Sequence, residues 1–289
     1  MYSIEKVSDV TNRSPSTRRT FCWQYGLKPE PEVFRDVIVA HFPVVTRFRE
    51  EGLQTHPSLV IAGGNTTNDS FNRAKRMLEQ QVYFDHRNTL YCGAEFDKHK
   101  NINLPNGFKT AKHQKRARKV EWEHAVPAEN FGRAFVEWRE GAPQCIDRKG
   151  KPFKGRKCAE KINMQYRYMQ ADMYNLFPAI GAVNATRSNK QFSELPSALT
   201  AFGTCEAKVE GTRFEPPARA KGQVARAALY MADSYERYRL SRQQRQLFEA
   251  WDKLYPVDNW ECIRAKRIEK LQGNENIFVK KACQEFGLW

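Results

Sequence analysis

The stretch Val120-Glu121-Trp122-Glu123-His124-Ala125-Val126-Pro127 decides how this 289-residue chain is read. A carboxylate, an indole and a Glu-His pair sit in a short apolar run, and Pro127 marks the end of the strand. A Glu-His pair beside a Trp is a surface pair or a hydrogen-bonded buried pair as readily as a catalytic one, so the reading needs a second stretch. That stretch is Asp172 to Asn189. Asp172 and Asn175 precede the apolar run Leu176-Phe177-Pro178-Ala179-Ile180, Pro178 and Gly181 read as a turn, and Asn184 lies where the next element opens.

Together the two stretches hold the parts of a phosphodiester hydrolase. Mg²⁺ takes oxygen ligands, keeps several waters and is often held by only one or two protein groups. Glu123 and Asn184 offer two such oxygens. His124, with an unperturbed pKa of about 6.5, is the natural general base at neutral pH. Water attacking a phosphodiester also needs positive charge on the non-bridging oxygens and the leaving group, which a metal ion and an Arg provide. Because a regular strand sends Glu123 and His124 to opposite faces, a bend in the backbone is expected between them.

Outward from this centre, charge gives the partner class. Lys and Arg number 48 against 33 acids, a net charge of +15, which favours a polyanion; the alternative is a solvated basic surface. The basic segment from Lys98 to Lys119 reads as a loop leading into the central strand. Its Lys109, Lys112, Lys115, Arg116, Arg118 and Lys119, with Arg187 and the Lys149 to Lys157 loop, are the candidate nucleic-acid contacts.

No apolar run reaches the roughly 18 residues that a membrane span needs. Met1 to Thr20 is polar and carries Arg13, Arg18 and Arg19, so it does not read as a signal peptide. Seven cysteines occur without a CxxC, which argues against a zinc cluster. The six after residue 90 suit three disulfides, with Cys22 left over, and free buried thiols are the alternative. A Cys145–Cys158 bridge would close a loop worth about 3 kcal/mol in the chain-entropy model, and Cys262 is placed to staple its helix to Cys283.

Residues 1 to 68 read as an extension of unknown role ending in a Gly-Asn-Thr linker, and residues 69 to 289 as the domain. Asp69 or Ser70 caps a first helix, Thr89 to Gly93 reads as a short strand, and Asn130 to Trp138 as a short helix. Apolar spacing predicts core helices over 218–235 and 241–254, the second capped by Ser241, and a last helix over about 258–271. His56, His86, His99 and His113 read as surface residues and His41 as a packing histidine.

Val120 to Ala128, with Phe131-Gly132, resembles the signature of the endonuclease I family, bacterial periplasmic and secreted nucleases with a ββα-metal, or His-Me, finger. The resemblance continues through Asp172 to Leu176, Val183-Asn184, Arg187-Ser188-Asn189, Pro216 to Gly222, Ser241 to Gln244, Trp251 to Pro256 and Trp260-Glu261-Cys262. It runs from about Ser70 to Cys283. It implies an α+β fold with a ββα-metal core in a mainly helical shell, exported and acting as a monomer. The implied activity is hydrolysis of double- and single-stranded DNA, and also RNA, with little sequence preference. A single Mg²⁺, replaceable by Ca²⁺ or Mn²⁺, is the implied cofactor. Carried over by position, His124 matches the general base, Glu123 and Asn184 the metal ligands, and Glu121, Trp122, Asp172 and Asn175 supporting positions. The family's phosphate-steadying Arg is not placed by the motif, since Gly141 is followed by Ala142, Pro143 and Gln144. Arg148, Arg156 and Arg187 are the candidates, and Arg156 is favoured. Two rival readings are a nucleic-acid-binding module with a dead site and an unrelated phosphoesterase acting on a small substrate.

Overall fold

The computed structural model describes residues 63–289. The expectations for earlier residues, including Cys22, His41 and His56, lie outside the described residues.

Helix α1, Phe71–Met77, starts where the Ser70 hydroxyl accepts the Arg73 amide, and it runs on into a π-turn over Leu78–Val82. Strand β1, Val120–His124, pairs antiparallel with β2, Leu176–Ile180, with Val120 opposite Ile180 and His124 opposite Leu176. Between them the chain makes four short helices: α2 Ala128–Gly132, α3 Val136–Arg139, α4 Arg156–Ile162 and α5 Met164–Gln170. A 3₁₀ turn over Met173–Asn175 then leads into β2. Helix α6, Gly181–Arg187, follows β2 without a loop and folds back along β1. A Cβ on Gly181 would stand 2.6 Å from the Arg116 carbonyl and 2.8 Å from Glu121 Oε1, so the missing side chain is what lets α6 begin against β1.

Pro178 sits inside β2, opposite Trp122, rather than at the turn expected from the Pro and Gly. A two-stranded sheet leaves one side of each strand without ladder bonds, and a residue lacking an N–H is tolerated there. Its carbonyl accepts the Leu90 amide at 2.8 Å.

A second sheet has the order β3-β6-β5-β4, from β3 Gln191–Phe192, β4 Thr200–Phe202, β5 Cys205–Glu210 and β6 Arg213–Glu215, with β3 and β6 parallel. Four longer helices complete the chain: α7 Ala218–Ser234, α8 Arg242–Leu254, α9 Asn259–Gln272 and α10 Ile277–Glu285. The three expected helices correspond to α7, α8 and α9, and Ser241 caps α8 by accepting the Gln244 amide. Helix α7 buries Val224, Ala225, Ala228, Leu229 and Met231, while α8 contributes Phe248 and Trp251 to the same core. The architecture is therefore α+β, as the sequence implied.

Disulfides join Cys92 to Cys205, Cys145 to Cys158 and Cys262 to Cys283. Other local expectations are corrected. Thr89 to Gly93 forms a turn closed by Gly93 N–H to the Thr89 carbonyl, not a strand, and Asn130 to Trp138 divides between α2 and α3. Asn65, ahead of the boundary expected after residue 68, is 1% exposed. Its amide donates to the Tyr235 hydroxyl at 2.8 Å, and its Nδ2 donates to the Tyr168 carbonyl at 2.9 Å.

Candidate active site

Alternation along β1 sends Glu121 and Glu123 toward α6, where Asn184 and Arg187, one helical turn apart, meet them. Asn184 donates Nδ2 to Glu121 Oε2 at 2.8 Å, and Arg116 forks onto the same carboxylate. Glu123 is 2% exposed and accepts two hydrogen bonds on Oε1, from the Tyr91 hydroxyl and Arg187 Nη1, each at 2.9 Å. Burial pushes the Glu123 carboxyl upward, with the Arg187 guanidinium as the main opposing influence.

Arg187 was expected among the nucleic-acid contacts and as a candidate for the phosphate-steadying cation. The structure corrects both: it is 1% exposed, and its other bonds go to the His124 carbonyl at 2.8 Å and the Ala125 carbonyl at 2.5 Å. It braces the turn after β1 from inside.

His124 takes its partners on other elements, as alternation requires. The register of β1 is regular through Glu123 and His124, so the expected bend is not there. His124 Nε2 lies 2.9 Å from the Gln170 carbonyl at the end of α5. A carbonyl only accepts, so Nε2 carries the proton and Nδ1 is left as the basic nitrogen. The imidazole ring packs 4.9 Å from Phe71 on α1. Burial, then Arg156, pushes its pKa from 6.5 to about 3. The ring is thus neutral at neutral pH but a weaker base than free imidazole.

Gln170 is the junction that sequence reasoning missed. Its carbonyl fixes His124, while its side-chain Oε1 accepts Arg156 Nε and the Tyr166 hydroxyl, each at 2.9 Å. Arg156 thereby stands beside the imidazole, its guanidinium 5.2 Å from the centre of the Phe71 ring. It is the first residue of α4, after Gly155 at φ 77°, and lies two positions before the bridged Cys158. Arg148, the remaining candidate, is exposed on the intervening loop.

The other supporting residues clamp the same frame. Asn175 brackets Val126, accepting its amide at 2.7 Å and donating to its carbonyl at 3.0 Å, which holds the turn after His124. Asp172, fully buried, accepts from Tyr230 and Tyr235 at 2.6 Å each and from Gln272 at 3.0 Å. Trp122 packs edge-on to Tyr83.

A cavity of about 500 Å³ opens against β1 and α6, walled by Phe71, Lys75, Lys100, Glu121, Trp122 and Asn184. Lys75 stands 4.6 Å over Phe71, and burial together with Lys100 and Arg156 pulls its pKa down. Cations thus dominate the surroundings of His124, which suits a phosphate. The only signal for Lys75 and Phe71 was their spacing of four on α1, one face of a helix.

Of the basic segment, Lys109, Lys112, Lys115, Arg118 and Lys119 are exposed, whereas Arg116 is engaged with Glu121. A hard cation fits the oxygens on the β1–α6 seam. Among the described residues, Glu123 Oε2 and Asn184 Oδ1 accept no hydrogen bond, so each has lone pairs to give while its other atom is anchored.

Residues 70–283 match the family model described as Endonuclease I. An extracellular deoxyribonuclease of Aeromonas hydrophila is 41% identical over 222 residues, covering 74% of this chain and 91% of its own length. A periplasmic deoxyribonuclease of the same organism is 42% identical over 211 residues, 71% of this chain and 83% of its own. Endonuclease-1 of Buchnera aphidicola subsp. Acyrthosiphon pisum is 35% identical over 223 residues, 75% of this chain and 83% of its own. Agreement of this extent places the stretch around His124 inside a shared domain, and the chain belongs to the endonuclease I family.

Proposed function

We propose that the protein is an exported endonuclease that hydrolyses phosphodiester bonds of DNA, and also of RNA, with little sequence preference and one Mg²⁺. The relatives named as deoxyribonucleases support the substrate class, and the β1-β2-α6 unit supports a ββα-metal core. Three disulfides suit an oxidising compartment, where two of the named relatives are described as extracellular or periplasmic.

The observation that carries the reading is the Gln170 junction, one residue that holds both a base and a cation. His124 Nδ1 takes the proton of the attacking water, with the ring held in that tautomer by the Gln170 carbonyl. Arg156 holds a non-bridging oxygen of the scissile phosphate, and Lys75, whose charge also acts on His124, adds to the positive field there. Glu123 Oε2 and Asn184 Oδ1 would hold Mg²⁺, which when bound supplies positive charge to the phosphate and leaving oxygen. Contacts directed mainly at phosphates leave the base sequence unread.

The low basicity of His124 favours a second reading, a nucleic-acid-binding module with a weak site. A bound phosphate answers the positive field of Arg156 and Lys75 and so raises the imidazole toward working range. Nicking of supercoiled plasmid with and without EDTA separates the readings. Cutting that EDTA stops and that His124→Ala abolishes, with DNA still bound by the variant, supports the nuclease. Tight binding without cutting by the unaltered protein supports the module.

A further inference from the structure

A second cavity, about 550 Å³, lies against the turn that follows His124, between Ala125–Pro127 and the segment from Arg237 to Ser241. Its one acid, Glu129, is occupied by Arg133 and Asn189. Three further cations, Lys190, Arg237 and Arg239, face no acid among the described residues. Arg237 is held by Gln165 and stacks 5.0 Å from Phe135, so its position is fixed while its charge stays unneutralised. The cavity wall also carries an unspent donor, since Arg187 Nε is buried and has no hydrogen-bond partner among the described residues, in a residue 1% exposed.

We propose that this groove is a second nucleic-acid contact, taking phosphates of the bound strand away from the cut through Lys190, Arg237 and Arg239. The inference rests on the nuclease reading of His124. Distance sets which phosphates it takes. Pro127 follows His124 by three residues and so stands at most about 10 Å from it. At a rise of about 3.4 Å per nucleotide, the near edge of the groove lies no more than about three nucleotides from the phosphate at His124. Substrates too short to cross that gap engage the first cavity alone.

The test is the double variant Lys190→Gln/Arg239→Gln, which leaves Arg237, Arg187 and every residue around His124 in place. Cleavage and binding are measured on a long duplex and on one ending about three nucleotides either side of the cut. On the long duplex the slope of log binding constant against log salt should flatten by about 2, at roughly 0.9 per lost phosphate contact. KM should rise several-fold with kcat unchanged, and the short duplex should show neither change. An unaltered salt slope and KM on the long duplex, or equal losses on both lengths, would overturn the groove. Protein without substitutions that neither binds nor cuts either duplex would overturn the nuclease reading itself.

Discussion

Glu123 and Arg187 form an ion pair with both side chains almost wholly buried, Oε1 and Nη1 2.9 Å apart, across the seam between β1 and α6. The pair positions more than itself. The same Nη1 also holds the His124 carbonyl, so the carboxylate before the histidine and the backbone of the histidine share one guanidinium.

Breaking that pair from the cationic side should be severe. Arg187→Met leaves a buried carboxylate without its counter-charge and two carbonyls without donors, and should cost about 3–5 kcal/mol of stability. Denaturant unfolding measures the loss. Adding Glu123→Gln should restore part of it, and additive losses in the double variant would show that the two side chains are not coupled.

The pH profile should lack the inflection of a free imidazole. His124 is driven from 6.5 to about 3 by burial and by Arg156, so it stays neutral as the solution is acidified through 6.5. The acid limb of log kcat/KM for the unaltered enzyme should therefore lie well below that value. Stability has the matching sign: the unfolded chain takes up this proton from pH 6.5 downward and the fold does not. This residue's share of stability then falls as pH drops from 6.5 toward 3. A limb at 6.5 would mean the ring is more hydrated than its neighbours allow.

Arg156 and Gln170 should behave as one unit. Arg156→Ala should lower kcat by about 10²-fold, as for loss of a donor to developing charge. Gln170→Ala keeps the carbonyl on His124 but frees Arg156, and should lower kcat by about tenfold, the cost of misplacement. In the double variant the effects should fall short of their product; a full product would separate the two residues.

Removing the Cys145–Cys158 bridge should show in both stability and rate. The bridged residues are 13 positions apart, so opening the loop should cost about 3 kcal/mol. Because Arg156 starts the helix that carries Cys158, kcat should fall with it. Calorimetry and single-turnover cleavage of Cys145→Ser/Cys158→Ser read the two effects separately.

Much of this was legible from local signals. Ser70 and Ser241 cap where their chemistry says, α7 to α9 follow apolar spacing, and the Glu-His strand meets the Asn184 element. What was not legible depends on distant partners. Gln170 acts through a backbone carbonyl, which every residue has, so its type gave no sign. Arg187 looked like a phosphate contact because a sequence shows charge but not the buried Glu123 facing it. Gly63 to Asn68 looked like a linker because turn formers also build packed loops when their amides find donors and acceptors, as Asn65 does with Tyr168 and Tyr235. The Cys92–Cys205 bridge spans 113 positions, beyond any local rule.

The Asp172 carboxylate has one more consequence, in the order in which the protein is made. Two of its donors, Tyr230 and Tyr235, lie well downstream, and a third, Gln272, is 100 positions away. A ribosome releasing this chain from its N-terminus delivers His124, Arg156 and Gln170 long before those three. The carboxylate two residues beyond Gln170 lacks its full set of donors until residue 272 has emerged. A nascent chain halted between residues 187 and 230 therefore carries every residue proposed for catalysis while Asp172 still lacks its Tyr230, Tyr235 and Gln272 donors.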